Sequence, residues 1–242
     1  MKIADHIEML EIKIPMGEHE MVIHPVVIYT EDQAVLIDTG VPGCYDSIMK
    51  QIDPAYPLKT IILSHDDLDH VGSLPQFLEA AQGKLNVYAQ AKDAGAINGT
   101  HPFAKAKPER IDTVLEPLSE HLQQSFRSVF SANTPDNVTH VLQGDEVLPF
   151  GEGLQVIHTP GHTPGHTSFY DIASKTLFAA DAMIVENGEL QGPNPMFTLD
   201  MEEATASLRA FQQLPIESIV CYHGGLFKGD IQKRLHEIVN PS

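Results

Sequence analysis

Ser64-His65-Asp66-Asp67-Leu68-Asp69-His70 is the stretch of sequence that best predicts the fold and the chemistry of this chain. It directly follows Thr60-Ile61-Ile62-Leu63, a continuous apolar run that predicts a central strand covered on both faces. A tight loop at the end of such a strand can direct several side chains to one point. Imidazole and carboxylate groups are natural ligands of zinc, iron and manganese. The loop therefore predicts a metal site, with ligands enough for two ions: His65, Asp67, Asp69 and His70. Taken alone, it also fits a solvated turn that caps the next helix, with Asp69 as the N-cap.

A second group of histidines follows another predicted strand, in Thr159-Pro160-Gly161-His162-Thr163-Pro164-Gly165-His166-Thr167. Glycine and proline fix a turn and let the backbone approach closely. His162 lies in the turn itself, which makes it a candidate ligand, although a turn histidine bonded only to the backbone also fits. We expect His166 to support the site rather than bind metal, and His158 to belong to the preceding strand.

Two further strand ends carry candidate ligands. Asp181 follows Leu177-Phe178-Ala179-Ala180, and His223 follows Val220-Cys221-Tyr222. An unpaired carboxylate at the end of a buried strand is costly, and a metal ion is a good partner for it. Either residue alone would be interpreted as a cap or a surface residue. Together with the first two clusters they form a consistent set of ligands.

The order of the predicted elements is strands, helices, strands, helices. Strand patterns occupy residues 7–12, 20–29, 34–37, 60–63, 86–88, 138–142, 146–150, 154–158, 167–170, 176–179 and 218–221. Helical patterns occupy residues 43–52, 74–81, 201–214 and 229–239. Residues 89–137 predict helices and loops inserted between two β-rich halves, and Pro149 predicts an edge strand. The pattern indicates a single domain over residues 1–242, with helices outside the two halves.

Composition excludes several classes of function. The 242 residues are 42% hydrophobic and 20% charged, and 33 acidic against 15 basic side chains give a net charge of −18. Such acidity argues against nucleic acid or an anionic membrane as partner, because both need clustered Lys and Arg. No apolar run approaches the roughly 20 residues that span a bilayer. The start Met1-Lys2-Ile3-Ala4-Asp5-His6 lacks signal-peptide features, and only two cysteines occur, so we expect a cytoplasmic protein with a small-molecule substrate. The sequence leaves open whether the protein forms a homodimer.

Taken together, these segments resemble the metallo-β-lactamase superfamily. Its usual loop is His-x-His-x-Asp-His, followed by a turn histidine, a bridging aspartate and a last histidine. Here the pattern is His65-x-Asp67-x-Asp69-His70, followed by His162, Asp181 and His223. Asp38, in Ile37-Asp38-Thr39-Gly40, matches an early Asp-x-Gly segment that supports the site in this family. The resemblance covers residues 20 to 225, nearly the whole chain.

The resemblance implies an α/β (α+β) fold, a four-layer αββα sandwich with the metal site at one edge between the two sheets. It also implies two divalent metal ions, with zinc as the first choice and manganese or iron as alternatives. The implied ligands are, for the first ion, His65, Asp67 and His162; for the second, Asp69, His70 and His223; and as the bridge, Asp181. Asp69 is also the implied catalytic residue, because it could move a proton to the leaving group.

Asp67 departs from the family pattern, which has a histidine at this position. An anionic oxygen ligand favours harder metals, so manganese and iron become more credible ions for this site beside zinc. It also lowers the positive charge of a two-ion cluster, which should then acidify bound water less. An aspartate at this position also fits a second possibility, in which the first metal position binds its ion weakly or stays empty.

The activity that the resemblance implies is hydrolysis, in which a metal-bound hydroxide attacks an ester, a lactone or a thioester. Two substrate classes stay open: a lactonase for acyl-homoserine-type rings, and a thioesterase similar to glyoxalase II. The turn at 159–166 favours the lactonase, but Ile184 stands where those enzymes carry a tyrosine. Against the thioesterase, this chain has no evident C-terminal basic segment that would bind glutathione. An iron-dependent redox or oxygen-handling protein is the alternative from another class, and a module that keeps metal only for stability is a third.

Overall fold

Two β-sheets form the middle of the molecule. The computed structural model describes residues 1–17, 19–131 and 136–240, so residues 132–135 of the predicted insert lie outside the described residues. The strands, in chain order, are β1 (Lys2–Ala4), β2 (Ile7–Met9), β3 (Ile12–Met16), β4 (His19–Ile23), β5 (Val26–Tyr29), β6 (Ala34–Ile37), β7 (Leu58–Ile62), β8 (Asn86–Gln90), β9 (His140–Leu142), β10 (Val147–Leu148), β11 (Leu154–His158), β12 (Thr167–Asp171), β13 (Thr176–Ala180), β14 (Ile184–Glu186), β15 (Glu189–Gln191), β16 (Ser218–Cys221) and β17 (Gly225–Phe227). The first sheet has the order β1-β2-β5-β6-β7-β8-β9, and the second has the order β10-β11-β12-β13-β16-β17. The pairs β3–β4 and β14–β15 form separate hairpins.

Helices cover the outer faces of both sheets. They are α1 (Tyr45–Met49), α2 (Leu68–Val71), α3 (Leu74–Ala80), α4 (Ala91–Ile97), α5 (Pro108–Leu115), α6 (Glu120–Val129), α7 (Met201–Ser207) and α8 (Ile231–Val239). The first sheet packs on α1, α3 and α4 through a buried apolar cluster, and the second packs on α8 and on a 3-10 helix at Leu208–Gln213. In the described part of the chain, no helix is long and apolar enough to cross a bilayer.

The inner faces of the two sheets share one apolar core. The first sheet contributes side chains such as Ile28 and Ile62, and the second contributes Val156, Phe169 and Phe178. Each of these is nearly or fully inaccessible to solvent, so the sheets are held together by hydrophobic burial. The layers therefore follow the order helix, sheet, sheet, helix. This confirms the predicted four-layer αββα sandwich.

Strand direction determines where the functional loops meet. Strands β6, β7 and β8 are mutually parallel, and β7, which contains the apolar run at Thr60-Ile61-Ile62, is an internal strand of the first sheet as predicted. In the second sheet β13 is parallel to β16, and β11 has the same direction because β12 is antiparallel to both β11 and β13. The carboxyl ends of parallel strands lie at the same edge of a sheet. The loops after β6, β7, β11, β13 and β16 consequently gather at one edge of the sandwich.

Helices α4, α5 and α6 occupy the predicted insert at 89–137. The last two carry a small apolar core of their own, in which Leu115 and Phe126 pack on Leu68 at the start of α2. Phe103 and Phe130 pack against the same cluster and are half-buried. These phenylalanines are core residues of the insert, which tie it to the loop that follows β7.

Some elements differ from the sequence-based predictions. The predicted helix at 201–214 becomes a 3-10 helix after Ser207, whose hydroxyl donates to the Pro160 carbonyl at 2.8 Å. Side chains at i and i+3 of a 3-10 helix are eclipsed, which places Leu208 and Phe211 together in the core. The two strands predicted at residues 7–12 and 20–29 are four strands in the structure: β3 and β4 pair as a separate hairpin, and β2 and β5 pair within the first sheet. Strand β10, which ends next to Pro149, is an edge strand as predicted.

Candidate metal centre

The predicted ligands lie together at the edge of the sandwich where the functional loops meet. They fall into two donor groups, within each of which the ligand atoms lie within 4.8 Å of one another. The first donor group is His65, Asp67, His162 and Asp181, and the second donor group is Asp69, His70 and His223. Asp181 also approaches the second group, because its Oδ1 lies 3.5 Å from His70 Nε2 and its Oδ2 lies 3.4 Å from His223 Nε2. The side chains that the sequence predicts as ligands are therefore brought together from four segments of both sheets.

Asp38 fixes the loop that follows β7. One carboxylate oxygen accepts the Ser64 backbone N–H at 2.8 Å, and the other accepts the Ser64 hydroxyl at 2.8 Å and His70 Nδ1 at 2.9 Å. Asp38 has a φ of 65°, in the left-handed region that a non-glycine residue adopts at a cost. The next residue, Thr39, donates both its backbone N–H and its hydroxyl to the His70 carbonyl.

The hydrogen bonds determine which nitrogen of each histidine faces the centre. The single Ser64 hydrogen goes to Asp38, so the Ser64 oxygen must accept from His65 Nδ1, at 2.9 Å. His70 Nδ1 likewise donates to Asp38. Both rings therefore direct Nε2 into the centre. A carboxylate or hydroxyl behind a ligating imidazole is the usual way in which proteins orient it for a metal ion.

Asp181 is held from its backbone by His166. The backbone N–H of Asp181 donates to His166 Nε2 at 3.1 Å, so His166 Nδ1 carries the proton and donates to Thr159. Burial and the neighbouring His65 and His162 hold the pKa of His166 well below its ordinary value, which keeps the ring neutral. These contacts give His166 the supporting position expected from sequence. His158 lies on β11 and bonds the Pro164 carbonyl through Nε2, at 2.9 Å.

His223 and Asp69 form the more exposed side of the centre. His223 Nε2 lies 3.2 Å from Asp69 Oδ2, and about a third of the His223 side chain is exposed. Burial lowers the pKa of His223, but the carboxylates of Asp181 and Asp69 outweigh it and raise the pKa to about 10. The Tyr222 hydroxyl donates to the Asp69 carbonyl, and the Tyr222 ring packs on the His70 ring with centroids 3.9 Å apart. Tyr222 was not predicted as a site residue.

Several buried side-chain atoms in and beside the centre have no hydrogen-bond partner. Among the described residues these are His65 Nε2, His70 Nε2 and Asp181 Oδ1, together with Asp66 Oδ1. An unsatisfied buried polar atom is rare in folded proteins, because it loses its bonds to water without replacement. The first three all face the space between the donor groups. Two imidazole nitrogens and a carboxylate oxygen that converge in this way fit a bound divalent cation.

The charges of the centre also match a bound cation. Burial raises the pKa of Asp181, but His223 and His70 outweigh it and hold the pKa well below its ordinary value. Burial lowers the pKa of His70, but the carboxylates of Asp38, Asp181 and Asp69 raise it well above its ordinary value. Without metal the carboxylates therefore draw protons onto nearby imidazoles. A divalent ion would displace such protons, as metal binding to histidine does in general.

Lys105 is, with Tyr222, a residue of the centre that the sequence did not predict. Its ammonium contacts Asp67 Oδ2, lies 2.6 Å from His162 Nε2 and donates to the Phe197 carbonyl at 2.8 Å. Lys105 belongs to the loop between α4 and α5, far along the chain from the predicted ligands. The sequence offers no more than a basic residue within the predicted insert at 89–137.

A model of one protein family matches residues 21–223, and its description is metallo-beta-lactamase superfamily. The chain belongs to the metallo-β-lactamase superfamily. Its sequence is 30% identical, over 85% of this chain and 81% of the relative, to the probable metallo-hydrolase YflN of Bacillus subtilis. It is 24% identical, over 88% and 84%, to the probable metallo-hydrolase YybB of the same organism.

Solved structures of this superfamily share the fold. The family protein TTHA1429 of Thermus thermophilus covers 98% of this chain and 79% of its own, with a TM-score of 0.69 and 22% identity. The archaeal protein ST1585 of Sulfolobus tokodaii covers 91% and 81%, with a TM-score of 0.61 and 24% identity. At these identities the comparison supports the fold, while membership of a superfamily with metallo-hydrolase relatives supports a hydrolase.

Proposed function

We propose that this chain is a metal-dependent hydrolase that cleaves an ester, a lactone or a thioester. The observation that carries the proposal is the convergence of His65 Nε2, His70 Nε2 and Asp181 Oδ1, which are buried and have no hydrogen-bond partner, within the two donor groups. Membership of the superfamily and its metallo-hydrolase relatives agree with it. The substrate is a small molecule, because the net charge of −18 disfavours nucleic acid.

The two donor groups would hold two divalent ions, and Asp181, whose carboxylate approaches both groups, would be a ligand common to them. Zinc suits the imidazole nitrogens, and the carboxylate of Asp67 also suits manganese or iron. Bound ions of this kind lower the pKa of a coordinated water and polarise a substrate carbonyl. The proposed ligands are His65, Asp67 and His162; Asp69, His70 and His223; and Asp181.

The chain's own residues then have separable tasks. Asp38 and Ser64 orient His70 and His65, and His166 fixes the backbone of Asp181. We propose that Asp69 carries a proton to the leaving group, and the 25% exposure of its side chain at the open side of the centre supports this role.

Exposed apolar side chains adjoin the centre on the segment that follows β15. Met196, Phe197 and Leu199 are 83%, 48% and 55% exposed, and the Leu199 backbone and Thr198 hydroxyl both bond to His162. We propose that the apolar part of an acyl substrate lies along this segment. Both a lactone with an acyl chain and an aliphatic thioester meet that requirement.

The experiment is a hydrolysis panel of esters, lactones and thioesters with graded acyl chains. The protein is assayed as purified, after chelation, and after the return of zinc, manganese or iron. We expect turnover that chelation abolishes and metal restores. His70→Ala should reduce it about 100- to 1,000-fold, the usual effect of removing one oriented electrostatic group. The matched control is His121→Ala, at an exposed histidine that pairs with Glu79. Unchanged turnover after chelation would exclude the proposal.

Asp67 favours an iron-dependent redox or oxygen-handling protein as the second candidate, since it adds a carboxylate oxygen to the first donor group. Metal analysis with an absorption spectrum separates the two. A colourless zinc or manganese protein supports the hydrolase, whereas stoichiometric iron with oxygen uptake supports the redox protein.

A further inference from the structure

Lys105 reaches into the first donor group from the helical insert. Its ammonium lies among Asp67, His162 and the Phe197 carbonyl, and only 15% of its side chain is exposed. An ammonium has three hydrogens to donate and no lone pair, so each of these three atoms must accept one of them. Two of the three contacts of the Lys105 ammonium are therefore to the first donor group, and the third is to the backbone beside it.

His162 offers Lys105 the same lone pair that a metal ion would need. The Thr198 hydroxyl donates its hydrogen to the Asn194 carbonyl at 2.7 Å, so its oxygen accepts from His162 Nδ1 at 3.3 Å. The Lys105 ammonium can only donate and lies 2.6 Å from His162 Nε2, so Nε2 is the acceptor of this contact. Nε2 lies 3.1 Å from Asp67 Oδ2, which is also an acceptor. Two acceptors at this separation need a cation between them, and Lys105 supplies it.

The position of Lys105 is fixed by the fold. The backbone N–H of Ala104 donates to Asp66 Oδ2 at 2.7 Å, within the loop that also carries Asp67. On the other side of Lys105, helices α5 and α6 pack on Leu68 of the same loop. Contacts of the insert on both sides of Asp67 thus hold the lysine against the donor group.

Charge favours a single metal ion while Lys105 is present. The two donor groups contain three carboxylates: Asp67, Asp69 and Asp181. One divalent ion and one ammonium neutralise them, whereas two divalent ions and the ammonium would leave an excess of two positive charges. Like charges in a buried site repel strongly. We propose that Lys105 is an internal cation that competes with metal for the first donor group, so that this group binds metal only when Lys105 leaves.

The proposal rests on the metal centre proposed above and is tested by metal binding rather than by turnover. Protein freed of metal is titrated with zinc against a chromophoric chelator. We expect the wild type to bind one ion tightly and a second ion more weakly. Lys105→Ala should bind the second ion about tenfold more tightly or better, a difference that such a competition resolves easily. Lys105→Arg, which keeps the charge, should stay near the wild type, as should Lys107→Ala at an exposed lysine.

A second measurement uses the wild type and so does not depend on the folding of a variant. Lysine acetylation followed by mass spectrometry should find Lys105 protected relative to Lys107 in metal-free protein, and reactive once excess zinc is present. Lys105 as reactive as Lys107 without metal, or protected at every zinc concentration, would overturn the proposal. Two equally tight ions in both wild type and Lys105→Ala would also overturn it and leave the hydrolase intact. If no zinc bound to any variant, the proposed function itself would fail.

Discussion

At the scale of single residues, Asp38 controls the centre without belonging to either donor group. It is 1% exposed, and its two oxygens bond Ser64 twice and His70 once. The Ser64 oxygen then accepts from His65. One carboxylate thus orients two proposed ligands, which accounts for the left-handed backbone that the chain tolerates there.

Asp38→Asn is expected to weaken zinc binding about 10- to 100-fold, the usual effect of losing a group that orients a ligand. An amide can no longer accept from both Ser64 and His70 on one charged oxygen, so the imidazole ring loses its fixed orientation. Zinc affinity measured by chelator competition tests this. The control is Asp32→Asn, at an exposed aspartate paired with Lys59. Equal affinities for Asp38→Asn and the wild type would contradict the role given to Asp38.

The convergence of the proposed ligands could be expected from sequence because each lies in a loop that follows an apolar strand. Asp181 and His223 stand at the ends of β13 and β16, where strand direction alone brings them to one edge. Lys105 could not be predicted in this way. Its approach depends on the packing of α5 and α6 on Leu68 and on the bond from Ala104 to Asp66, contacts between segments far apart in the chain.

At the scale of elements, the hairpin β14–β15 was missed although the sequence signals it. Asn187-Gly188 lies between the two strands, and both residues have positive φ, at 52° and 80°. That dipeptide is the preferred turn of a two-residue hairpin. The first half of the predicted helix at 201–214 is correct because Asp200 caps it, accepting the Glu203 backbone N–H at 2.8 Å. Its second half depends on tertiary packing and so could not be predicted from local sequence.

The turn between β9 and β10 should make stability depend on pH. Glu146 accepts the backbone N–H groups of Gln143, Gly144 and Asp145. Burial raises the pKa of Glu146, but these donors outweigh it and lower the pKa below its ordinary value of 4.5. A carboxyl with a depressed pKa stabilises the fold above its unfolded pKa and loses that effect as pH falls through its folded pKa.

Glu146→Gln should therefore reduce the free energy of unfolding by about 1 kcal/mol at pH 7, a modest value because the side chain is partly exposed. The difference from the wild type should shrink as the pH falls below about 4.5 and vanish at still lower pH. Denaturant unfolding at several pH values measures it. Glu152→Gln, at an exposed neighbour, is the control. A difference that stayed constant with pH would argue against charged capping of this turn.

At the scale of the whole molecule, the centre lies where two separately hydrogen-bonded sheets meet. The Thr167 backbone N–H at the start of β12 donates to the Ser64 carbonyl at 2.9 Å, which links the sheets beside the ligands. Metal bound to ligands from both sheets should therefore add to the cohesion of the sandwich. A ligand that binds only the folded state stabilises it by mass action.

Zinc at 100 times its dissociation constant should stabilise the fold by about 2.7 kcal/mol. For a chain of this length, that is a rise of roughly 5–10 °C in melting temperature. Differential scanning calorimetry of chelated and zinc-loaded protein measures it. Asp181→Ala should abolish most of the rise, whereas Asp112→Ala, at an exposed aspartate, should keep it. An equal rise in both variants would mean that zinc binds elsewhere.

The most direct test of the central claim is the metal content of the purified chain, determined by elemental mass spectrometry after exchange into metal-free buffer. The arrangement of His65, His70, Asp181 and their neighbours predicts at least one equivalent of zinc, manganese or iron per chain in the wild type. It predicts a loss of that metal in His70→Ala and its retention in His121→Ala. A wild-type chain that keeps no stoichiometric metal, or a His70→Ala chain that keeps as much as the wild type, would contradict a metal centre at this edge of the sandwich.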